Sequence, residues 1–211
     1  MHIPGTLKKR GRSLETISER RKQRFQQVID RRQPTLTLVI ENVWDPHNVS
    51  AILRSADAIG IHSVHLLYHV EAAPNFRAIG RKSSASAKKW LDLHVHHSVE
   101  DCFAELRAAG FRIYSSHLKK QSVPLHAIDA TERVAFVLGN EHRGVSEEAC
   151  ALSDGIYFIP MMGMVESLNV SVAAAVTLYE ALRQRAAKGM YDTPQLPEAT
   201  RHAMLEDWAG K

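Results

Sequence analysis

The chain has 211 residues, 45% of them hydrophobic, enough for one sizeable core with extensions but not for a second full domain. Its formal charge of +4 is unevenly spread: residues 1–33 hold ten Lys or Arg against three acids, while the rest is net −3, and a basic arm on a near-neutral body suits a polyanionic partner. No apolar run of about 18 residues spans a bilayer, no apolar leader core opens the chain, and Cys102 and Cys150 lie in apolar-periodic stretches that imply no disulfide framework, so a cytoplasmic protein without a membrane partner is expected.

Three segments are expected: a basic arm over residues 1–33, an α/β domain over 34–188 and a tail over 189–211. The arm begins with a loose basic stretch containing Lys8, Lys9, Arg10 and Arg12. Helical periodicity follows, with Thr16-Ile17-Ser18-Glu19 resembling a capping box. Ile17, Phe25, Val28 and Ile29 share one stripe, and Arg20 and Arg24 fall elsewhere. Such a helix docks through its stripe and presents cations to RNA; with one aromatic, the stripe is too thin for stable membrane insertion.

Beyond Pro34 two periods alternate. Thr35 to Glu41 reads as a strand, Val49 to Ile59 as a helix closed by Gly60, and Val64 to Tyr68 as a strand. A basic loop holding Arg77, Arg81, Lys82, Lys88 and Lys89 precedes an edge strand over Leu91 to His96. Ser98 and Asp101 open a helix that closes at Gly110, and strands over Phe111 to Ser115 and Arg133 to Leu138 follow. A helix after Ser146, a last strand over Ile156 to Pro160 and a long helix over Leu168 to Arg185 complete the domain. This alternation predicts a mostly parallel sheet with helices on both faces. The tail is expected to form a short helix anchored by Leu205 and Trp208.

Polar strings punctuate the ends of these elements: Asn48 with Arg54 six residues later, Gly139-Asn140-Glu141, and Ser167-Leu168-Asn169-Val170-Ser171. Loops at the carboxyl edge of a parallel sheet share one crevice, so the strings are expected to build one site. No G-x-G-x-x-G follows the first strand and no P-loop is present. An adenosine-containing ligand must then use other loops, with Leu138, Gly139, Asn140 and Gly144 as a tight turn and Ile159 to Gly163 as backbone groups and an apolar wall. His94 and His96 fall on the polar face of the edge strand, where a solvated surface is the better account, and no grouping of Cys, Asp and His has zinc spacing, so no metal is expected. Trp90 opens an apolar strand and is read as core rather than as a base-stacking residue.

In order and wording these strings resemble the SPOUT methyltransferases, and from Thr35 to Tyr191 the chain is similar to the tRNA guanosine-18 2′-O-methyltransferase family. The motifs are Glu41 to Arg54, Leu138 to Glu141 leading into Gly144 to Ala149, and Ile159 to Met161 with Gly163 to Ala175. The resemblance implies a C-terminal trefoil knot, S-adenosyl-L-methionine as cofactor and a homodimer. It implies catalytic roles for Arg54, Asn48, Glu141, Ser167 and Asn169, and cofactor contacts at Ser116, Leu138, Gly139, Asn140, Gly144, Ile159, Met161 and Leu168.

The implied chemistry is in-line attack of a ribose 2′-oxygen on the sulfonium methyl, with reactants aligned within about 3 to 3.5 Å and no metal. A guanidinium as general base is costly, since bringing its pKa from above 12 to near 7 takes at least about 7 kcal/mol at about 1.36 kcal/mol per unit. Arg54 is therefore expected to clamp the target phosphate and stabilise the developing alkoxide, with the proton acceptor left open between Arg54 and an RNA phosphate. Only about 33 residues precede the first strand, which favours tRNA, with the D-loop guanosine as target, over ribosomal RNA, because relatives acting on ribosomal RNA commonly bring a separate N-terminal domain. The alternatives are ribosomal RNA methylation and a non-catalytic RNA-binding protein of the same fold.

Overall fold

The computed structural model describes residues 14–73 and 87–211; Lys8, Lys9, Arg10 and Arg12, with Arg77, Arg81 and Lys82, lie outside them. Helix α1 (Glu19–Ile29) is capped by Ser18, whose hydroxyl accepts the Arg21 amide, so the cap falls two residues beyond the expected Thr16. Strand β1 (Leu36–Glu41) leads to α2 (Pro46–Ala58), then β2 (Ser63–Leu67) and β3 (Asp92–His96). After α3 (Val99–Ala108) come β4 (Arg112–Ser116), a two-residue β5 (Val123–Pro124) and β6 (Val134–Leu138). Helix α4 (Glu147–Leu152), β7 (Gly155–Phe158), α5 (Val170–Ala187) and α6 (Glu198–Ala209) complete the chain.

The sheet has seven strands in the order β3-β2-β1-β6-β4-β7-β5, and every adjacent pair is parallel. The expected α/β architecture is the one observed, with β3 at an edge. Strand β5 has too little apolar periodicity to be read from sequence. Both faces are covered, so β1 and β6 are buried along their whole length. Leu36, Leu38 and Ile40 of β1 pack with Val49, Ile52 and Leu53 of α2 and Ala174 and Leu178 of α5 on one face. Val39 packs with Val99, Cys102 and Phe103 of α3 and Ala149 of α4 on the other.

That second layer changes the reading of β3. His96 is buried, because α3 lies over the face expected to be solvated, and a face that alternates polar residues still becomes interior when a helix covers it. His65 of β2 is buried beside it.

The arm and tail form a third cluster. Phe25 and Ile29 of α1 meet Leu205 and Trp208 of α6, with Trp90 packed against them. Trp90 lies 4.9 Å from Trp208 and 5.4 Å from Phe25, ring to ring, which makes it core. Arg32 is fully buried at the junction: it donates to the Ile61 and Trp90 carbonyls and to Asp57, and its guanidinium stands over the Trp208 ring. Arg185, also fully buried, uses all of its donors on the Ala130, Thr35 and Glu132 carbonyls, the Thr35 hydroxyl and the Gln33 amide oxygen. Burial pushes its pKa down to about 10.

Candidate active site at the carboxyl edge of the sheet

Because the strands run parallel, the carboxyl ends of β1, β6 and β7 open on one edge of the sheet. The loop after β1 is short and ends in Asp45, whose carboxylate accepts the His47 amide and caps α2, with Pro46 as the first helical residue. Asn48 therefore sits inside the first turn with its side chain released for other contacts. Its amide nitrogen donates to Glu141 Oε1 at 2.5 Å, and its amide oxygen accepts from Asn169 Nδ2 at 3.2 Å.

Asn169 is itself the cap of α5: its oxygen accepts the Ser171 and Val172 amides and the Ser171 hydroxyl, while its nitrogen reaches Asn48. One side chain from each of the three polar strings is thus joined in a single hydrogen-bonded row. Glu141 Oε2 is buried and has no hydrogen-bond partner among the described residues. An unpaired buried carboxylate oxygen is costly.

The loop after β6 is held from within. Asn140 is buried, donates to the Asn42 carbonyl at 2.9 Å and accepts the His142 and Arg143 amides, while the Gly144 amide returns to the Asn140 carbonyl. Gly144 has φ +67°, and a Cβ on Gly139 would stand 2.1 Å from the Gly144 carbonyl carbon, so glycine is obligatory at position 139. Asn140 acts here as scaffold. A cavity of about 80 Å³ behind this loop, lined by Asn42, Asn140, Gly144 and Ser146, is too small for a nucleoside, since ligand pockets begin at about 300 Å³.

Sequence reasoning missed the support beneath these loops. Glu41 is buried at the end of β1; its carboxylate accepts the Ser146 amide and hydroxyl at 2.9 and 2.6 Å and faces His69 Nε2 at 2.8 Å. Asn42, at φ +52°, accepts the amides of His69, Val70 and Glu71 through one oxygen. Both residues belong to the first motif, and their place at the end of a strand was the available signal.

The remaining candidates lie outside this row. Arg54 lies about two turns further along α2 on its exposed side, with no hydrogen bond or ion pair among the described residues. Ser167 is exposed, whereas Met161 and Leu168 are half-buried on the segment before α5. Leu138 is buried at the end of β6, Ile159 packs against the core after β7, and Ser116 ends β4 next to Tyr157, its hydrogen-bond partner. Arg20, Arg24 and Lys89 are exposed.

A parallel α/β sheet whose site is built from three polar loops, with neither a dinucleotide fingerprint nor a P-loop, defines a narrow class of protein. Residues 35–179 match the model of the SpoU rRNA Methylase family, and the chain belongs to that family. It is 44% identical over 194 residues to the tRNA (guanosine(18)-2′-O)-methyltransferase of Thermus thermophilus, covering 92% of this chain and 98% of the relative. The crystal structure of the A. aeolicus TrmH/SpoU tRNA modifying enzyme superposes with a TM-score of 0.79 at 36% identity, covering 90% of this chain and 95% of that one. An AdoMet-bound rRNA methyltransferase from Sinorhizobium meliloti superposes with a TM-score of 0.64 at 26% identity, covering 75% and 59%.

Proposed function

We propose that the protein transfers a methyl group from S-adenosyl-L-methionine to the ribose 2′-oxygen of guanosine 18 in tRNA. The observation that carries this reading is the row Glu141–Asn48–Asn169, which joins the three motif loops at one edge of the sheet. The similarity to a tRNA (guanosine(18)-2′-O)-methyltransferase over nearly the whole of both chains supports the substrate.

The residues fit the donor. Leu138, Ile159, Met161 and Leu168 offer apolar contact, Ser116, Gly139, Asn140 and Gly144 offer backbone and polar groups, and Glu141 Oε2 offers bare negative charge suited to a sulfonium. When bound, S-adenosyl-L-methionine supplies an electrophilic methyl, a chemistry that needs no metal. Glu141 and Asn169 fix the orientation of the Asn48 amide, which leaves little freedom to be lost when a ribose arrives. Arg54, exposed and unpaired among the described residues, is available to clamp the phosphate and stabilise the 2′-oxyanion, and Ser167, two residues before Asn169, is exposed as well.

The catalytic edge calls for a second copy of the chain. Val172, Val176 and Tyr179 lie one turn apart on the exposed side of α5, while Trp44, Met162, Met164 and Val165 add exposed apolar surface from the neighbouring loops. We read this surface as the homodimer interface, and the C-terminal trefoil knot of the family as the means of holding the segment between β7 and α5. The arm, through Arg20 and Arg24, and Lys89 grip tRNA phosphates. Among the described residues no helix is long and apolar enough to cross a membrane, and the two free, buried cysteines suit a cytoplasmic enzyme.

Incubation with labelled S-adenosyl-L-methionine and unmodified tRNA should place label in 2′-O-methylguanosine at position 18, and Arg54→Lys should slow transfer by about 10²-fold or more; label on a base, or a normal rate for the variant, contradicts the assignment. Sedimentation should show a dimer that Val176→Glu converts to an inactive monomer, whereas an active monomer would remove the interface from the account. Arg20→Ala with Arg24→Ala should flatten the dependence of tRNA affinity on salt, by about one unit of log–log slope for each phosphate no longer neutralised; an unchanged slope moves the RNA-binding surface elsewhere.

A further inference from the structure

We propose that His65, His96 and Cys102 form a binding site for a divalent transition-metal ion of the zinc class, clipping the edge of the sheet to α3. The three residues come from β2, β3 and α3, all are buried, and their ligand atoms lie within 4.8 Å of one another. His65 Nδ1 faces His96 Nε2 at 2.9 Å, with the rings nearly coplanar in stacking at 19°. Two imidazoles and a thiol are the donor set that zinc and cobalt(II) prefer.

The histidine pair needs little adjustment. A tetrahedral ion with metal–nitrogen bonds of about 2.0 to 2.1 Å holds two such nitrogens about 3.3 Å apart, so the histidine pair has to open by only a few tenths of an ångström. Burial pushes the His65 pKa down to about 3 and lowers that of His96, so both rings are already in the neutral, ligating form. In the pair one ring nitrogen carries the shared proton. Metal binding moves that ring to its other tautomer, and the Cys102 thiol, whose pKa is raised by burial, gives up its proton to become the thiolate ligand. The balance is one proton released per ion.

A second group of potential ligands adjoins the buried one. His94 and Glu105 share His65 as a partner and face the solvent side, with side chains 26% and 49% exposed. Cys102 and Glu105 lie three residues apart on α3, so they are neighbours on the helix surface, the first buried and the second exposed. His94 stands 3.0 Å from Glu105 and 3.2 Å from Asp92, which places a carboxylate-bearing outer station next to the buried one.

Sequence spacing carries no sign of this group, because its members meet only when two strands pair and a helix covers them. The site is independent of the methyl-transfer reading, since these residues lie under α3 and not on the Asn48 row.

The test is titration of chelator-stripped, full-length protein with cobalt(II), followed by absorption and by proton release. The proposal expects a thiolate-to-cobalt charge-transfer band that saturates at one ion per chain, about one proton released per ion, and displacement by zinc. The band should vanish in Cys102→Ala and persist in Cys150→Ala, with circular dichroism confirming that each variant is folded. Absence of a saturable band in the wild-type protein overturns the site, and so does a band that survives Cys102→Ala or disappears with Cys150→Ala; the His65–His96 contact is then only a hydrogen-bonded pair. If Cys102→Ala fails to fold, the wild-type and Cys150→Ala titrations alone decide.

Discussion

A single asparagine amide, held from both sides, organises this edge of the protein. Asn48 donates to Glu141 and accepts from Asn169, and each of those partners belongs to a loop that leaves a different strand. A carboxylate accepting from an amide makes a charge-assisted bond, stronger than its neutral counterpart by roughly twofold. The other contacts at the edge serve to bring these three side chains to one place: Glu41 ties β1 to the start of α4, Asn140 ties the second loop back to Asn42, and Asp45 takes over the capping of α2 so that Asn48 is free.

The rigidity of the edge rests on the layers beneath it. Parallel strands buried on both faces leave each loop little choice of direction, and α2 and α5, which carry Asn48 and Asn169, pack against each other and share one core cluster. Their helix starts are consequently held at a fixed separation. Fully burying residues such as Leu38, Ile52 and Leu178 stabilises this layer by roughly 1.5 to 3 kcal/mol each, more than enough to position a row of side-chain hydrogen bonds worth about 1 to 3 kcal/mol apiece. Arg54, on the open side of α2, is placed by the same helix without being fixed by a bond of its own.

Much of this was legible in the chain. The β-branched runs around Leu38 and Val137 marked buried strands, Gly60 and Gly110 marked helix ends and indeed have φ of +89° and +80°, and the three polar strings stood at the strand ends where a parallel fold converges. What was not legible depends on long-range contacts. Arg185, read only as the last residue of a helix, is a buried hub, because carbonyls from two distant segments close around it. His96 looked solvated until α3 covered it. Asp45 and Asn48 are both good caps for α2, and the tertiary partner of Asn48 distinguishes them.

The most direct test of the claim that the three loops are joined through Asn48 is a pair of double-mutant cycles, Asn48→Ala with Glu141→Ala and Asn48→Ala with Asn169→Ala, read by urea unfolding of the full-length protein. The account predicts that both pairs couple, the Asn48–Glu141 pair by about 1 to 3 kcal/mol. Strict additivity in both cycles would contradict it.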